Sequence, residues 1–304
     1  MTISFGVHAG PQNVPMDALV EFWRLVETWG ADSISVGDHL CPPPPLPYSG
    51  PQYEAVALLA ALALETSRVR IGRLMFAAPF RNPGILTKSL TTIDHLSGGR
   101  VEVGLGAGWH RTEFEAFGYE FRSAPERLDI LEETIQIVRS LLDGGPTSFE
   151  GRHFRIQNAV CEPRPLQARM PIWIGGRGEK RSLRIAARHA DGWNANSVTA
   201  MEFRRLNGVL DDWCATEGRE PGTLARSVNL AFELGDPERA KSRNVDEARP
   251  GVMTGHPGDA ATMVSDYIEA GAQRVNVLVR SPWHADALEE YLREVVPTLR
   301  ERFG

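Results

Sequence analysis

The sequence predicts an α/β protein: a single (β/α)₈ barrel over residues 1–304 with a small insertion after strand four. Three observations point there. Short apolar runs alternate with helical patterns along the whole chain, and alternation of this kind asks for parallel strands. Eight such units in 304 residues suit a closed barrel, which needs roughly 250. Turns bearing glycine and histidine follow the short runs, where a parallel barrel carries its binding loops.

The first unit is strand Ile3–His8 and helix Asp17–Trp29, whose Leu19, Val20, Trp23 and Val26 recur at helical spacing. Strand Ser33–Val36 ends in Gly37-Asp38-His39. The prolines between Cys41 and Pro51 deny both helix and ladder bonding, so that stretch reads as a loop. Helix Tyr53–Thr66 is rich in Ala and Leu, and Val69–Ala77 reads as the third strand. Asn82 is placed to cap helix Pro83–His95, with proline in its first turn. Strand Val101–Gly106 and the long helix Pro125–Leu142 complete the first half.

Between residues 144 and 170 the rhythm breaks. Pro146, Pro163 and Pro165 frame two short pieces, Thr147–Glu150 and His153–Ile156, which read as an inserted hairpin. Alternation then resumes with strand Ile172–Ile174, helix Glu179–His189, strand Gly192–Ala195, helix Ala200–Glu217 and strand Ser227–Phe232. A polar stretch, Gly235–Gly255, precedes helix Asp259–Ala270, strand Arg274–Val279 and helix Ala285–Phe303.

Composition narrows the function classes. A net charge of −6 gives no basic footprint for nucleic acid. No apolar run approaches the ~20 residues of a membrane span, and the first residues lack the pattern of a signal peptide. Cys41, Cys161 and Cys214 are odd in number and scattered, which fits reduced thiols rather than disulfides or a zinc cage. A cytoplasmic enzyme acting on a small molecule is the expectation.

The residues at strand C-terminal ends carry the chemistry. Gly175-Gly176-Arg177-Gly178 leaves a strand and enters a helix. Glycines let backbone N–H groups face an anion, and Arg177 and Lys180 add positive charge, so the turn suits a phosphate. The same glycines also serve a tight turn with no ligand. Gly106-Ala107-Gly108 would let a flat ring approach the main chain. Trp109 and Trp193 offer aromatic faces to a cofactor, or core packing. Asp38 beside His39 offers an acid that orients a general acid/base, with His110 and His8 as further imidazoles; each also has a purely structural use. A metal-dependent barrel hydrolase needs three or four His, Asp or Glu ligands at strand ends, and the last four strands offer none clearly, so no metal is expected.

As a set these stretches resemble the luciferase-like monooxygenase superfamily, and within it the branch that uses the deazaflavin coenzyme F420. Gly37-Asp38-His39-Leu40 carries part of the likeness. More specific is the run from Pro79-Phe80-Arg81-Asn82-Pro83 to Ile93-Asp94-His95-Leu96-Ser97-Gly98-Gly99-Arg100, continuing into Val101–Trp109 and Glu113-Phe114-Glu115-Ala116-Phe117-Gly118. Ser148–Phe154, Pro171–Gly176 and Ala186–Asn194 complete it. The resemblance implies a commonly dimeric barrel that holds a tricyclic ring at its mouth. It places Asp38 and His39 beside the ring, Leu74-Met75 at a non-proline cis peptide under it, Gly106 and Gly108 along its polar edge, and Gly175–Gly178 on the phosphate.

Trp109 departs from the family's sugar-phosphate dehydrogenases, which resemblance implies carry an acidic glutamate there; the departure argues against that activity and moves proton transfer to His39, then His110 or His8. The expected function is hydride transfer between F420 and a small organic substrate. The alternative is an FMN-dependent monooxygenase that takes reduced flavin from a partner reductase and activates O₂. A metal-dependent hydrolase and an inert flavin-binding protein stand behind both.

Overall fold

The computed structural model describes residues 3–44, 50–235 and 249–304. Among them, eight parallel strands close into a barrel: β1 (Ser4–Ala9), β2 (Ser33–Val36), β3 (Arg70–Arg73), β5 (Val101–Gly106), β8 (Ile172–Gly175), β9 (Gly192–Asn196), β10 (Ala225–Leu234) and β12 (Arg274–Val279). Pairing runs in that order, and β12 bonds both β10 and β1 to close the ring. This is the (β/α)₈ fold the alternation predicts. Because every barrel strand is parallel, all their C-terminal ends open on one mouth.

The helices form for local reasons. In α3 (Pro83–Ser97) the Asn82 side chain accepts the Gly84 N–H at 2.9 Å, proline opens the first turn, and Gly98 at φ 67° closes the helix. The 20-residue α5 (Ala124–Asp143) starts from a reciprocal capping box between Ser123 and Glu126. α7 (Ala200–Thr216) is capped by Thr199. The ring of helices covers outward strand residues such as Ile34, Val103, Ile172 and Ile174, all fully buried.

The lumen is polar. Ser227 Oγ donates to Asn194 Oδ1 at 2.9 Å, and Asn276 Nδ2 donates to Ser227 Oγ at 2.9 Å and to Asn229 Oδ1 at 3.0 Å. Lower down, Arg274 of β12 reaches across the lumen to Glu102 of β5, which Arg70 of β3 also holds at 3.0 Å. Burial works to raise the Glu102 carboxyl, yet the two guanidinium groups hold it below its ordinary range.

Several elements differ from expectation. The third strand does not run unbroken over Val69–Ala77: a cis Leu74–Met75 bond separates β3 from the two-residue β4 (Phe76–Ala77), which pairs with β5. The sixth helix starts at Ser182 rather than Glu179, because the glycine turn extends further than its sequence suggests. A short α4 (Arg111–Ala116) follows β5, and β11 (Val252–Gly255) adds to β10 inside the expected polar stretch. The inserted hairpin pairs β6 (Thr147–Glu150) with β7 (Arg155–Ala159), its second strand lying later than His153–Ile156. One turn of π-helix at Tyr291–Val295 interrupts the final helix. Parts of the Cys41–Pro51 loop (45–49) and of the polar stretch (236–248) lie outside the described residues. The three cysteines are buried, and no described helix is long and apolar enough to cross a membrane.

Candidate active site

His39 stands just past β2, and its Nδ1 lies 3.1 Å from both carboxylate oxygens of Glu113. Glu113 sits in the first turn of α4, is 2% exposed, and accepts the Leu40 N–H at 3.1 Å through Oε2. A carboxylate on Nδ1 favours the tautomer with the proton there, which leaves Nε2 to exchange a proton with a reacting group. The His39 ring edge meets Trp109 at 5.7 Å and 81°, and Trp109 stacks on His110 at 5.2 Å. Trp109 is 60% exposed, so this aromatic wall faces solvent at the mouth.

His110 is buried, and its Nδ1 has no hydrogen-bond partner among the described residues; Glu113 Oε2 is 3.7 Å away, beyond hydrogen-bond reach. His8, buried at the end of β1, bonds Ser35 Oγ through Nδ1 at 2.9 Å. A side chain begun at Gly37 would find His8 Nε2 at 3.5 Å and the His39 ring at 3.9 Å, so the three imidazoles share one end of the barrel.

Asp38 does different work from that expected. Its Oδ2 accepts the Ala77 N–H at 2.9 Å, and Arg81 clamps both oxygens at 2.7 and 2.9 Å. Burial opposes the Arg81 charge, but Asp38 and Glu54 hold that guanidinium firmly protonated. The carboxylate that orients His39 is Glu113, and Asp38 anchors the segment after the cis Leu74–Met75 bond.

Met75 packs where two glycines make room. A Cβ on Gly106 would lie 3.2 Å from Met75 Cβ, and one on Gly175 only 2.6 Å from Met75 Cγ. Gly108, at φ 75°, leaves its space to the Phe114 ring, 2.6 Å from the place of a Cβ. Gly106 and Gly108 therefore make room for the Met75 and Phe114 side chains. Ala107 and Leu74 are half-buried beside them.

At the end of β8, Gly176 holds φ 132°, and Cβ atoms on Gly176 or Gly178 would crowd Ser182 Oγ at 3.2 and 3.0 Å. Bare backbone thus keeps the Ser182 hydroxyl in the turn. The Arg177 guanidinium donates to the Ser197 carbonyl at 2.8 Å, and Arg249 donates to Ser197 Oγ at 2.8 Å, which gathers two cations beside the turn. Trp193 does not turn its ring toward the mouth. It is fully buried outside the barrel wall, stacked on Phe203 of α7, and its Nε1 donates to the Gly176 carbonyl at 2.7 Å.

A sequence model described as the luciferase-like monooxygenase family matches residues 1–298. The chain belongs to that family. Among curated members, an F420-dependent glucose-6-phosphate dehydrogenase of Microbacterium testaceum is 27% identical over 99% of both chains. An uncharacterized protein of Mycobacterium bovis is 32% identical over 71% of this chain and 74% of its own. Among solved structures, an F420-dependent secondary alcohol dehydrogenase in complex with an F420-acetone adduct superposes with a TM-score of 0.87 at 19% identity, covering 98% of this chain and 99% of the other. That likeness establishes the shared barrel.

Sequence reasoning missed Glu113, Arg81, Ser182 and Arg249. The signal for Glu113 is faint: His110 and Glu113 stand at (i, i+3), one face of a helical turn, directly after a glycine-rich strand end. Nothing in the sequence marks Arg249, which meets the turn only through the tertiary fold.

Proposed function

We propose that this protein is an F420-dependent oxidoreductase that moves a hydride between the deazaflavin and a small organic substrate, with His39 moving the matching proton. The observation that carries the reading is the His39 imidazole, held at 3.1 Å by Glu113 beside the exposed Trp109. The residues present fit the cofactor: His39, Trp109 and Met75 would border a flat ring at the mouth, and the glycine turn with Ser182 Oγ, Arg177 and Arg249 would hold its phosphate. Deazaflavin supplies two-electron hydride chemistry when bound. His39 Nε2 takes the proton of an alcohol as it is oxidised, or returns it to the carbonyl oxygen in the reverse direction. Trp109 and His110 wall the mouth. Trp109 stands where a glutamate is expected in the sugar-phosphate dehydrogenases, so the proposed substrate is a small alcohol or carbonyl compound in place of glucose 6-phosphate.

The test is His39→Ala. Turnover of a secondary alcohol with F420 falls ~10²–10⁴-fold while F420 affinity stays within a few fold. Weakened cofactor binding with normal turnover at saturation makes His39 a binding residue instead. Binding of FMN with no affinity for F420 favours the oxygen-activating reading, with reduced flavin delivered by a partner reductase. We also propose a homodimer, to be read by sedimentation.

A further inference from the structure

His39, His110 and Glu113 form one compact cluster in which each offers a ligand atom within 4.8 Å of the others. Two features distinguish it from an ordinary hydrogen-bonded group. The side chain of His110 is 8% exposed, and its Nδ1, on the Glu113 side of the ring, has no hydrogen-bond partner among the described residues. A buried imidazole nitrogen left unmatched keeps its full desolvation cost, so something of the right chemistry gains by meeting it. The second feature is spacing. A tetrahedral shell of ligands ~2.1 Å from an ion sets ligand–ligand edges of roughly 3.4 Å. Here Glu113 Oε2 lies 3.1 Å from His39 Nδ1 and 3.7 Å from His110 Nδ1, and the three ligand atoms all lie within 4.8 Å of one another.

We propose that the mouth of the barrel binds one divalent transition-metal ion of the zinc class through His39 Nδ1, His110 Nδ1 and a Glu113 oxygen. Two imidazoles and one carboxylate are the donors such ions take, whereas calcium and magnesium call for oxygen ligands throughout. The carboxylate is already aimed by the Leu40 N–H, an outer contact of the kind that fixes metal ligands. The fourth position opens toward the mouth beside Trp109, where water completes the shell.

Binding relocates one proton on the ring: the neutral His39 imidazole carries its single proton on Nδ1 against Glu113, and as that nitrogen's lone pair takes the metal the proton passes through solvent to Nε2. His39 can then no longer accept one there. The ion therefore inhibits alcohol oxidation reversibly; this consequence rests on the function proposed above, and the binding itself does not.

The binding is tested on the full chain after chelation, with cobalt(II) as the probe. One equivalent produces the visible absorption of a tetrahedral cobalt site, and zinc abolishes it in competition. Calorimetry of zinc binding shows His110→Ala and Glu113→Gln each losing roughly 100-fold in affinity or more. His95→Ala, which removes an exposed histidine bonded to the Arg164 carbonyl, binds as the parent does. Circular dichroism confirms that the variants are folded, and His110→Gln replaces His110→Ala should the latter unfold. No cobalt band at one equivalent, or parental zinc affinity in a folded His110 variant, overturns the proposal. Neither result bears on F420 affinity, which tests the other reading.

Discussion

Both oxygens of Asp38 are committed, to the Ala77 N–H and to the Arg81 fork, in a pocket where the carboxylate is 1% exposed. An acid so occupied supports its surroundings, and its removal is felt in folding. Asp38→Asn keeps the shape but strips Arg81 of its bidentate counter-charge, with Glu54 left as a half-exposed partner. Breaking one side of a buried pair costs about 3–5 kcal/mol, less where water reaches the survivor, so a loss of about 3 kcal/mol is expected in urea denaturation. A loss under about 1 kcal/mol would show that the clamp is not structural.

At the scale of elements, the ends of β3, β5 and β8 meet through one side chain. Met75 fills the space that Gly106 and Gly175 leave vacant, so three strands are keyed together just under the mouth. Gly175→Ala places a methyl 2.6 Å from Met75 Cγ, a contact that forces Met75 to shift. Overpacking of this kind costs about 1–3 kcal/mol. Met75→Ala in the same chain removes the obstacle, and the double variant should recover at least half of the lost thermal stability. No recovery would place the need for glycine elsewhere. The same keying explains why Val69–Ala77 reads as one strand in sequence: no proline interrupts it, and only packing against β5 and β8 reveals the break.

For the whole molecule, the Glu102 cluster ties opposite walls of the barrel, with β1, β2 and β3 between Arg274 and Glu102 on one side. The folded carboxyl is held below its ordinary 4.5 by Arg274 and Arg70 against the opposing effect of burial. Its contribution to stability is therefore complete above that ordinary value, and is lost as pH falls through the lower folded value. Glu102→Gln leaves two lumen-facing cations without their carboxylate and should cost about 3–5 kcal/mol near neutral pH. The gap between the parent and Glu102→Gln should narrow as the pH falls below 4.5, as the parent loses the same charge. A gap that stays constant or widens in acid would mean the cluster is held by packing and not by charge.

The alternation of strand and helix, the glycine turns and the Asn82 cap are local properties of the chain, and they determine the barrel and the end at which its imidazoles gather. Helical and extended periods are set by neighbours a few residues apart, so they can be read without the fold. The partners of those imidazoles cannot. His39 and Glu113 are 74 residues apart, and Asp38 and Arg81 are 43, so which carboxylate meets the histidine depends on how β2, β3 and β5 lie side by side. Trp193 makes the same point within one strand. Successive side chains of β9 face opposite ways, so Asn194 enters the lumen while Trp193 packs under α7, and a one-residue change of register would exchange them. Tertiary packing alone decides that choice, because either residue at that strand end satisfies the local pattern.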